Sequence, residues 1–316
     1  YHRLEDNLEE DRLGSAAFGS TRRGIAYAYG ERYMKKSIQI GEILYPEHLK
    51  KRLTEIIAFK NLLIKEVYKS DDIIDIKEVL EWVNKFGNKI KHYICDTTKL
   101  LQTAASENKK ILFEAQLGSL RDIYYGIYPF TTSSCTLASY APAGGGLFNR
   151  KIDNVIGVMK SFSSCVGSGP FTTEMPDDEA GKLRETAFEY GAATGRPRRI
   201  GYFDAVATRY GAMVQGVDEI AITKVDSLSG QSKLKICTHY EVEGNLIQDF
   251  PLTPALEITK PKYIEMDGWQ EDISKCRKFG ELPLNAQNYI NKIEELIGYK
   301  IKYVSVGPER ESLIVK

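Results

Sequence analysis

No stretch of the chain approaches the ~18 consecutive apolar residues that a membrane-spanning helix needs, so no such helix is expected and no membrane partner with it. Cysteine is sparse: Cys95, Cys135, Cys165, Cys237 and Cys276 are odd in number, and none forms a C-x-x-C pair. That argues against a disulfide framework and reads as reduced thiols in a cytoplasmic protein. Histidine is sparser still, with His2, His48, His92 and His239 alone, and no His/Cys pair has zinc spacing, which speaks against a structural metal. An excess of either charge is also missing, because Lys+Arg and Asp+Glu both number 43. This excludes the overall electrostatic footprint of a general nucleic-acid binder but leaves room for a local basic site. The first residues, Tyr1 to Asp11, are acidic and carry no signal-peptide core. Finally, the chain contains no G-x-x-x-x-G-K-[ST], no G-x-G-x-x-G and no G-x-S-x-G. A Walker-type loop, a Rossmann fingerprint and a nucleophile elbow are thereby absent from these residues.

What is present is globular. Apolar residues make up 42% and charged residues 27% of 316, enough to bury a sizeable core in two domains or in one large α/β domain. Residues 1 to 12 alternate acids with Leu4 and Leu8, as a short amphipathic helix does. Leu49, Leu53, Ile56 and Leu63 predict a helix over 47–69, and Leu80, Val83, Ile90 and Ile94 predict a second over about 76–106. Residues 1–108 therefore read as a mostly helical lobe. The texture changes at Lys109, where Ile111-Leu112-Phe113 reads as a short buried strand. Further strands are predicted over 155–162, 219–222, 302–305 and 312–315, a hairpin pair over 233–258 around Gly244-Asn245, and helices over 179–190, 204–215 and 283–296. Strands alternating with helices predict an α/β fold with a mostly parallel central sheet flanked by helices, in a single domain over 1–316. Ligands of such sheets sit at the carboxyl ends of strands, which directs interest to the loops after Glu114, Val166, Ile222 and Ser305. The Gly/Ser/Thr/Pro-rich stretch from Tyr125 to Gly146 has the length of a functional loop, with Gly144-Gly145-Gly146 as its flexible end.

Several clusters carry chemistry. Thr223-Lys224-Val225-Asp226 directly follows a predicted buried strand. An Asp there can accept from both N1–H and the exocyclic amine of guanine, whereas adenine would leave that carboxylate unpaired. The plain alternative is a solvated loop after a strand. Gly195-Arg196-Pro197-Arg198-Arg199 places three guanidinium forks in four positions, stiffened by Pro197. Such forks suit carboxylate or phosphate, and the alternative is an ordinary basic turn. Gly19-Ser20-Thr21-Arg22-Arg23-Gly24 is a small-residue loop of the kind that fits phosphate, and taken alone it reads more readily as an ordinary loop without a ligand. Tyr128-Pro129-Phe130-Thr131-Thr132-Ser133-Ser134 presents a row of hydroxyls after an aromatic-Pro turn.

Taken in order, these motifs resemble the adenylosuccinate synthetase family, purine-pathway ligases that join IMP and aspartate at the expense of GTP. Gly19 to Ile25 is similar to the family's G-T-T-x-x-G-I, and Phe113-Glu114-Ala115-Gln116-Leu117-Gly118 to its F-E-G-A-Q-G. Tyr128-Pro129 with Thr132-Ser133-Ser134 resembles Y-P-x-x-T-S-S, and Val166-Gly167-Ser168-Gly169-Pro170-Phe171 resembles V-G-x-G-P-F. Gly195 to Arg199 is similar to G-R-R-R-R, and Thr223 to Asp226 to T-K-L-D. Leu282-Pro283 with Asn288-Tyr289 and Ser305-Val306-Gly307-Pro308 closes the series.

The resemblance implies a P-loop-NTPase-like synthetase fold lacking its first strands, with a helical lobe and a β-hairpin. It implies GTP-dependent formation of adenylosuccinate, the committed step towards AMP, through a 6-phosphoryl-IMP intermediate. IMP would be held by Thr21, Thr132, Gln116, Val166 and Arg196, with Lys35 reaching the neighbouring active site of a homodimer. Aspartate would be held by Thr194, Arg196 and Arg198. Guanine of GTP would be read by Lys224 and Asp226, with Ser305, Gly307 and Pro308 beside the base. Gln116 is the one supporting catalytic residue it implies. The family's phosphate loop, its catalytic base and its Mg²⁺ ligands have no counterpart in the motifs above, and Tyr1-His2 corresponds to a point inside the family sequence. Departures include Lys35 for an Arg, Pro197 within the Arg run, Ala193 for a Thr, and Gln116 one place before the family Gln, where Leu117 stands. Two other readings stand beside the synthetase: a nucleotide-binding relative without catalysis, and a synthetase acting on a guanylate-type acceptor.

Overall fold

A computed structural model describes residues 1–115, 117–192 and 195–316, which fall into two compact units. The first comprises 1–114, 132–135 and 142–150; the second comprises 115–131, 136–141 and 151–316. None of the described helices is long and apolar enough to cross a membrane.

The first unit is helical, built from α1 (His2–Leu13), α2 (Ile25–Met34), α3 (Pro46–Glu66), α4 (Ile76–Ile90) and α5 (Thr97–Ser106). Pro46 opens α3, where its missing N–H costs no hydrogen bond. Leu49, Leu53 and Ile57 recur at helical spacing on α3 and pack with Leu80 and Val83 of α4. The one helix expected over 76–106 is two. Lys91–Tyr93 form a 3₁₀ turn after α4, and the Asp96 carboxylate accepts from the Lys99 N–H at 3.1 Å to start α5. A capping Asp in a helical pattern marks a boundary, and it outweighed the continuing apolar spacing.

Helix α1 inverts expectation, because its buried residues are Glu5, Asp6 and Glu10 and not its leucines. Glu5 turns inward to Lys60 of α3, only 3% exposed, which also reaches the carboxylate of Glu31, while Asp6 and Glu10 turn to Ser20 and Gly24. His2 Nε2 lies 2.7 Å from Glu31 Oε2 in the same network. Burial alone would raise the Glu31 pKa, but His2 and Lys60 outweigh it and hold the carboxyl below its ordinary range. The expected strand at Ile111–Phe113 does not form: this segment joins no sheet among the described residues, and Leu112 is 91% exposed. An apolar run becomes a strand only where a neighbour completes its hydrogen bonds. Nor is Gly144–Gly146 a loose loop. Gly144 and Gly145 lie in a short helical turn, α6 (Ala141–Gly145). A Cβ on Gly145 would meet the Phe113 ring at 2.9 Å, and one on Gly146 (φ +87°) would meet Thr98 Oγ1 at 2.6 Å.

The second unit holds, in order, β1 (Ile156–Lys160), β2 (Ser163–Cys165), α7 (Asp177–Thr186), β3 (Arg199–Gly201), β4 (Phe203–Asp204), α8 (Ala205–Gln215), β5 (Glu219–Thr223), β6 (Lys233–Val242), β7 (Asn245–Ile247), α9 (Thr253–Leu256), β8 (Lys260–Asp267), α10 (Leu284–Ile297), β9 (Ile301–Ser305) and β10 (Leu313–Val315). The principal sheet runs β1-β5-β9-β10, its first three strands parallel and β10 antiparallel. Ile222, Ile301 and Val304 of this sheet are fully buried against Ile290 and Ile293 of α10. The predicted hairpin at Gly244 forms between β6 and β7, but β6 pairs over most of its length with β8. Strands β2, β3 and β4 are too short to show a period in sequence.

Asp204 caps α8, its Oδ1 accepting from the Ala207 N–H at 3.0 Å, while Tyr240 Oη donates to Oδ2 at 2.6 Å. Burial nevertheless pushes its pKa up to about 6 from 3.8. A raised folded-state pKa stabilises fully below the unfolded value and is lost as pH rises through the folded one. Asp204→Asn, which keeps the cap acceptor, is expected to flatten the fall in Tm between about pH 4 and 7, a difference on the order of 2–3 kcal/mol. An unchanged slope in thermal melts would remove the carboxyl from that fall.

Candidate functional site

The parallel sheet brings two predicted loops together. Register pairs Ile222 of β5 with Val304 of β9, so the chain leaves both strands at one edge. From β5 emerges Lys224 at φ +62°, and its Nζ donates to the Ala187 carbonyl at 3.0 Å. Val225 is fully buried, and Asp226 begins a 3₁₀ turn over Asp226–Leu228. Burial, with Asp272 nearby, raises the Asp226 pKa against the opposing Lys224 charge. From β9 emerges Ser305, whose Oγ donates to the Gly307 carbonyl at 2.8 Å. A Cβ on Gly307 would come within 2.9 Å of Ser312 Oγ, so a larger residue there would displace the Ser312 side chain. The Val225 N–H reaches the Ser305 carbonyl at 3.4 Å, tying the loops to each other, and Pro308 stays exposed. A half-buried carboxylate beside a small-residue turn can accept paired donors from a planar base.

The arginine run separates into different environments. Arg196 is exposed. Arg198 Nη1 donates to Glu189 Oε2 at 2.9 Å, and Lys160 Nζ at the end of β1 donates to the same oxygen at 2.7 Å. Burial alone would raise the Glu189 pKa, but the Lys160 hydrogen bond and both cationic charges outweigh it and lower it. Arg199 serves the scaffold: it grips Glu174 with Nε at 2.7 Å and Nη2 at 2.5 Å, and donates to the Gly169 carbonyl at 2.8 Å. It thereby pins the Val166–Phe171 loop to β3. Arg121 supports that loop from its other side, donating to the Val166 carbonyl at 3.1 Å. A Cβ on Gly169 (φ +108°) would strike the Phe130 ring at 2.7 Å, so the loop packs as closely as glycine permits.

In the first unit the Gly19–Gly24 loop is organised by acids of α1. Ser20 Oγ donates to Asp6 at 2.8 Å, the Gly24 N–H to Asp6 Oδ2 at 2.8 Å, and the Ser20 N–H to Glu10 at 3.1 Å. Thr21 is left exposed at the tip. Lys35 is exposed at the C-cap of α2, with φ +61°. Thr132 belongs to this unit and is half-buried. Val166, Arg196, Arg198, Lys224, Asp226, Ser305, Gly307 and Pro308 all belong to the second unit. Gln116 and Thr194 lie outside the described residues. Sequence reasoning missed Asp122, fully buried, which accepts from the N–H groups of Tyr124 at 2.8 Å, Tyr125 at 3.0 Å and Thr136 at 2.6 Å. The pattern Asp-x-Tyr-Tyr-Gly before a turn was its only trace. It missed Glu189 and Glu174 as well, whose partners are distant in sequence. Among the described residues, no three His, Cys, Asp or Glu side chains gather as a metal-ligand set, so no ligands for Mg²⁺ are identified there and no step is derived through it.

The family model described as adenylosuccinate synthetase matches residues 1–314. The chain belongs to the adenylosuccinate synthetase family. It is 47% identical over all 316 residues to adenylosuccinate synthetase 2 of Pseudoalteromonas translucida and 41% identical to adenylosuccinate synthetase of Caldanaerobacter subterraneus, covering 74% of each relative. The structure of a fully ligated adenylosuccinate synthetase from Plasmodium falciparum superposes with a TM-score of 0.94 at 33% identity, covering all of this chain and 75% of that one. The α/β fold is thus the fold of adenylosuccinate synthetase.

Arg199→Ala removes the carbonyl hydrogen bond to Gly169 and the fork on Glu174. Hydrogen exchange of the amides over 166–171 is expected to quicken by about tenfold, as the loss of ~1–2 kcal/mol of local stability implies. Unchanged exchange would mean that the glycine packing alone holds the loop.

Proposed function

We propose that this chain serves the GTP-dependent ligation of IMP and L-aspartate, giving adenylosuccinate, GDP and phosphate. The observation that carries this reading is the shared edge of β5 and β9, where the loop bearing Lys224 and Asp226 is tied to the turn of Ser305, Gly307 and Pro308 by the Val225 N–H on the Ser305 carbonyl. Asp226 accepts from guanine N1–H and the exocyclic amine, and Ser305 to Pro308 pack beside the base. Arg198 takes the aspartate carboxylate, with Arg196 and Thr194 beside it. Thr21 and Thr132 hold the IMP phosphate, and Val166, Arg196 and Gln116 meet the nucleoside. Lys35, exposed at a helix end, extends to the IMP phosphate of a second copy in a homodimer.

The chemistry runs in two balanced steps. IMP loses its N1 proton to a base, O6 attacks the γ-phosphorus of GTP, and GDP leaves. The aspartate amine then attacks C6, the C–O bond breaks, and phosphate departs with the O6 oxygen. Catalysis of this kind rests on positioning and charge, and this chain's contribution is to fix the acceptor nucleotide, the amine and the donor base relative to one another. The base, the Mg²⁺ ligands and the grip on the β- and γ-phosphates are not among the residues assigned here.

The gene product containing this chain, incubated with GTP, IMP, aspartate and Mg²⁺, is expected to form adenylosuccinate and to turn over dGMP at least about tenfold less well. Binding without turnover would favour a non-catalytic relative, and faster use of dGMP a guanylate acceptor. Asp226→Asn is expected to reduce the preference for GTP over ATP by about tenfold or more. Unchanged selectivity would remove Asp226 from base recognition.

A further inference from the structure

The carboxylate of Glu189 is almost wholly buried, its side chain 2% exposed, yet the two cations it holds are not: the Lys160 side chain is 25% exposed and that of Arg198 29%. The anion lies beneath and the cations above. Ser164 Oγ accepts from Lys160 Nζ at 2.6 Å, so the ammonium is fixed from two sides. The Arg198 backbone N–H donates to the Glu189 carbonyl at 2.9 Å, and Arg184 Nε donates to the Arg198 carbonyl at 2.7 Å. Main chain and side chain of Arg198 are thus both registered on the segment that follows α7. Lys224 also bears on this cluster: with Arg198 it opposes the charge on Lys160. Two cations therefore hold one carboxylate, with a third acting on Lys160, a surplus of positive charge that a further anion would balance. One more detail points to such a ligand. Arg198 Nε is buried and has no hydrogen-bond partner. A buried donor without an acceptor is destabilising, and an arriving carboxylate can remove that cost.

We propose that Glu189 is a positioning residue of the aspartate site: its buried carboxylate holds Arg198 by Nη1 and Lys160 by Nζ, and so leaves the Nε side of the guanidinium for the substrate carboxylate. This rests on the reading of Arg198 given above. A lysine at position 198 could not divide its donors in this way, because only a planar fork presents two separate edges. Without the carboxylate, Lys160 and Arg198 repel each other and Arg198 loses its orientation.

Steady-state kinetics on the gene product containing this chain test the proposal. Glu189→Gln is expected to raise the KM for aspartate by about tenfold or more, with kcat and the KM for GTP within about twofold. Glu189→Asp keeps the charge but shortens the reach; it is expected to give a smaller rise, and it serves if the Gln variant does not fold. In an Arg198→Leu background, Glu189→Gln is expected to add almost nothing, since the residue it positions is gone. Equal rises in the GTP and aspartate KM, or additive effects in the double variant, would overturn the proposal by making Glu189 a general structural acid. If Arg198→Leu raises the aspartate KM while neither Glu189 variant does, the positioning role falls and the Arg198 assignment stands. If Arg198→Leu leaves the aspartate KM unchanged, the assignment itself falls, and the proposal with it.

Discussion

The parallel register of β1, β5 and β9 is the constraint on which the second unit depends. Lys160 at the end of β1 pairs with Thr223 at the end of β5, and Ile222 with Val304 of β9. Three strands running the same way must release their loops at one edge, which is why α/β sheets bind ligands there. Behind the edge, the register is locked by polar groups that have nowhere else to go. Tyr289 on α10, 1% exposed, donates its hydroxyl to the Ser161 carbonyl at 2.8 Å, and Ser161 Oγ donates to the Lys224 carbonyl at 2.8 Å. A chain of hydrogen bonds thus runs from a core helix through β1 to the loop carrying Lys224 and Asp226. In a low-dielectric interior each of these bonds is costly to leave unmade, so the loop inherits the rigidity of the core.

Buried charge is used in opposite ways in the two units. Around Lys60 one ammonium meets the carboxylates of Glu5 and Glu31, so the cation is more than matched and the cluster joins α1, α2 and α3. Around Glu189 one carboxylate meets two cations, so positive charge is left over. Buried ion pairs add little net stability, because desolvation offsets attraction, but losing one partner is severe. Their value is geometric. The first cluster closes on itself. The second is left open to an anion.

Legibility from sequence followed how local each cause was. The strand before Thr223, the helix Leu284–Ile297 and the placement of Thr223-Lys224-Val225-Asp226 at a strand end depend on spacing within a few residues, and all were readable. The failures came from partners far along the chain. Glu174 lies 25 residues before Arg199, Lys160 lies 29 before Glu189, and Lys60 lies 55 after Glu5. No pattern within a helix announces that its acids, not its leucines, face inward when the matching lysine belongs to another helix. Ile111–Phe113 failed for the complementary reason. Its residues suit a strand, but strand formation also requires a neighbour, which composition cannot supply. The motifs of the family were legible in order, whereas the distant carboxylates that hold their side chains were not.

The arginine run shows why order alone underdetermines roles. Arg198 and Arg199 are adjacent in sequence and carry the same group, yet one turns to Glu189 and the other to Glu174. Extended backbone accounts for the divergence, since successive side chains leave a strand on opposite faces. Arg199 opens β3, opposite Cys165 of β2, where its fork reaches the Gly169 carbonyl and Glu174 together. Arg198, one residue earlier, lies on the face that meets the end of β1. Pro197 bridges to Tyr190 and has no N–H to lose, so the segment keeps its extended course into β3 at low entropic cost. A single motif thus sends two forks, one residue apart, to two different carboxylates. Which goes where is decided by the parity of the strand and by where two buried carboxylates happen to stand.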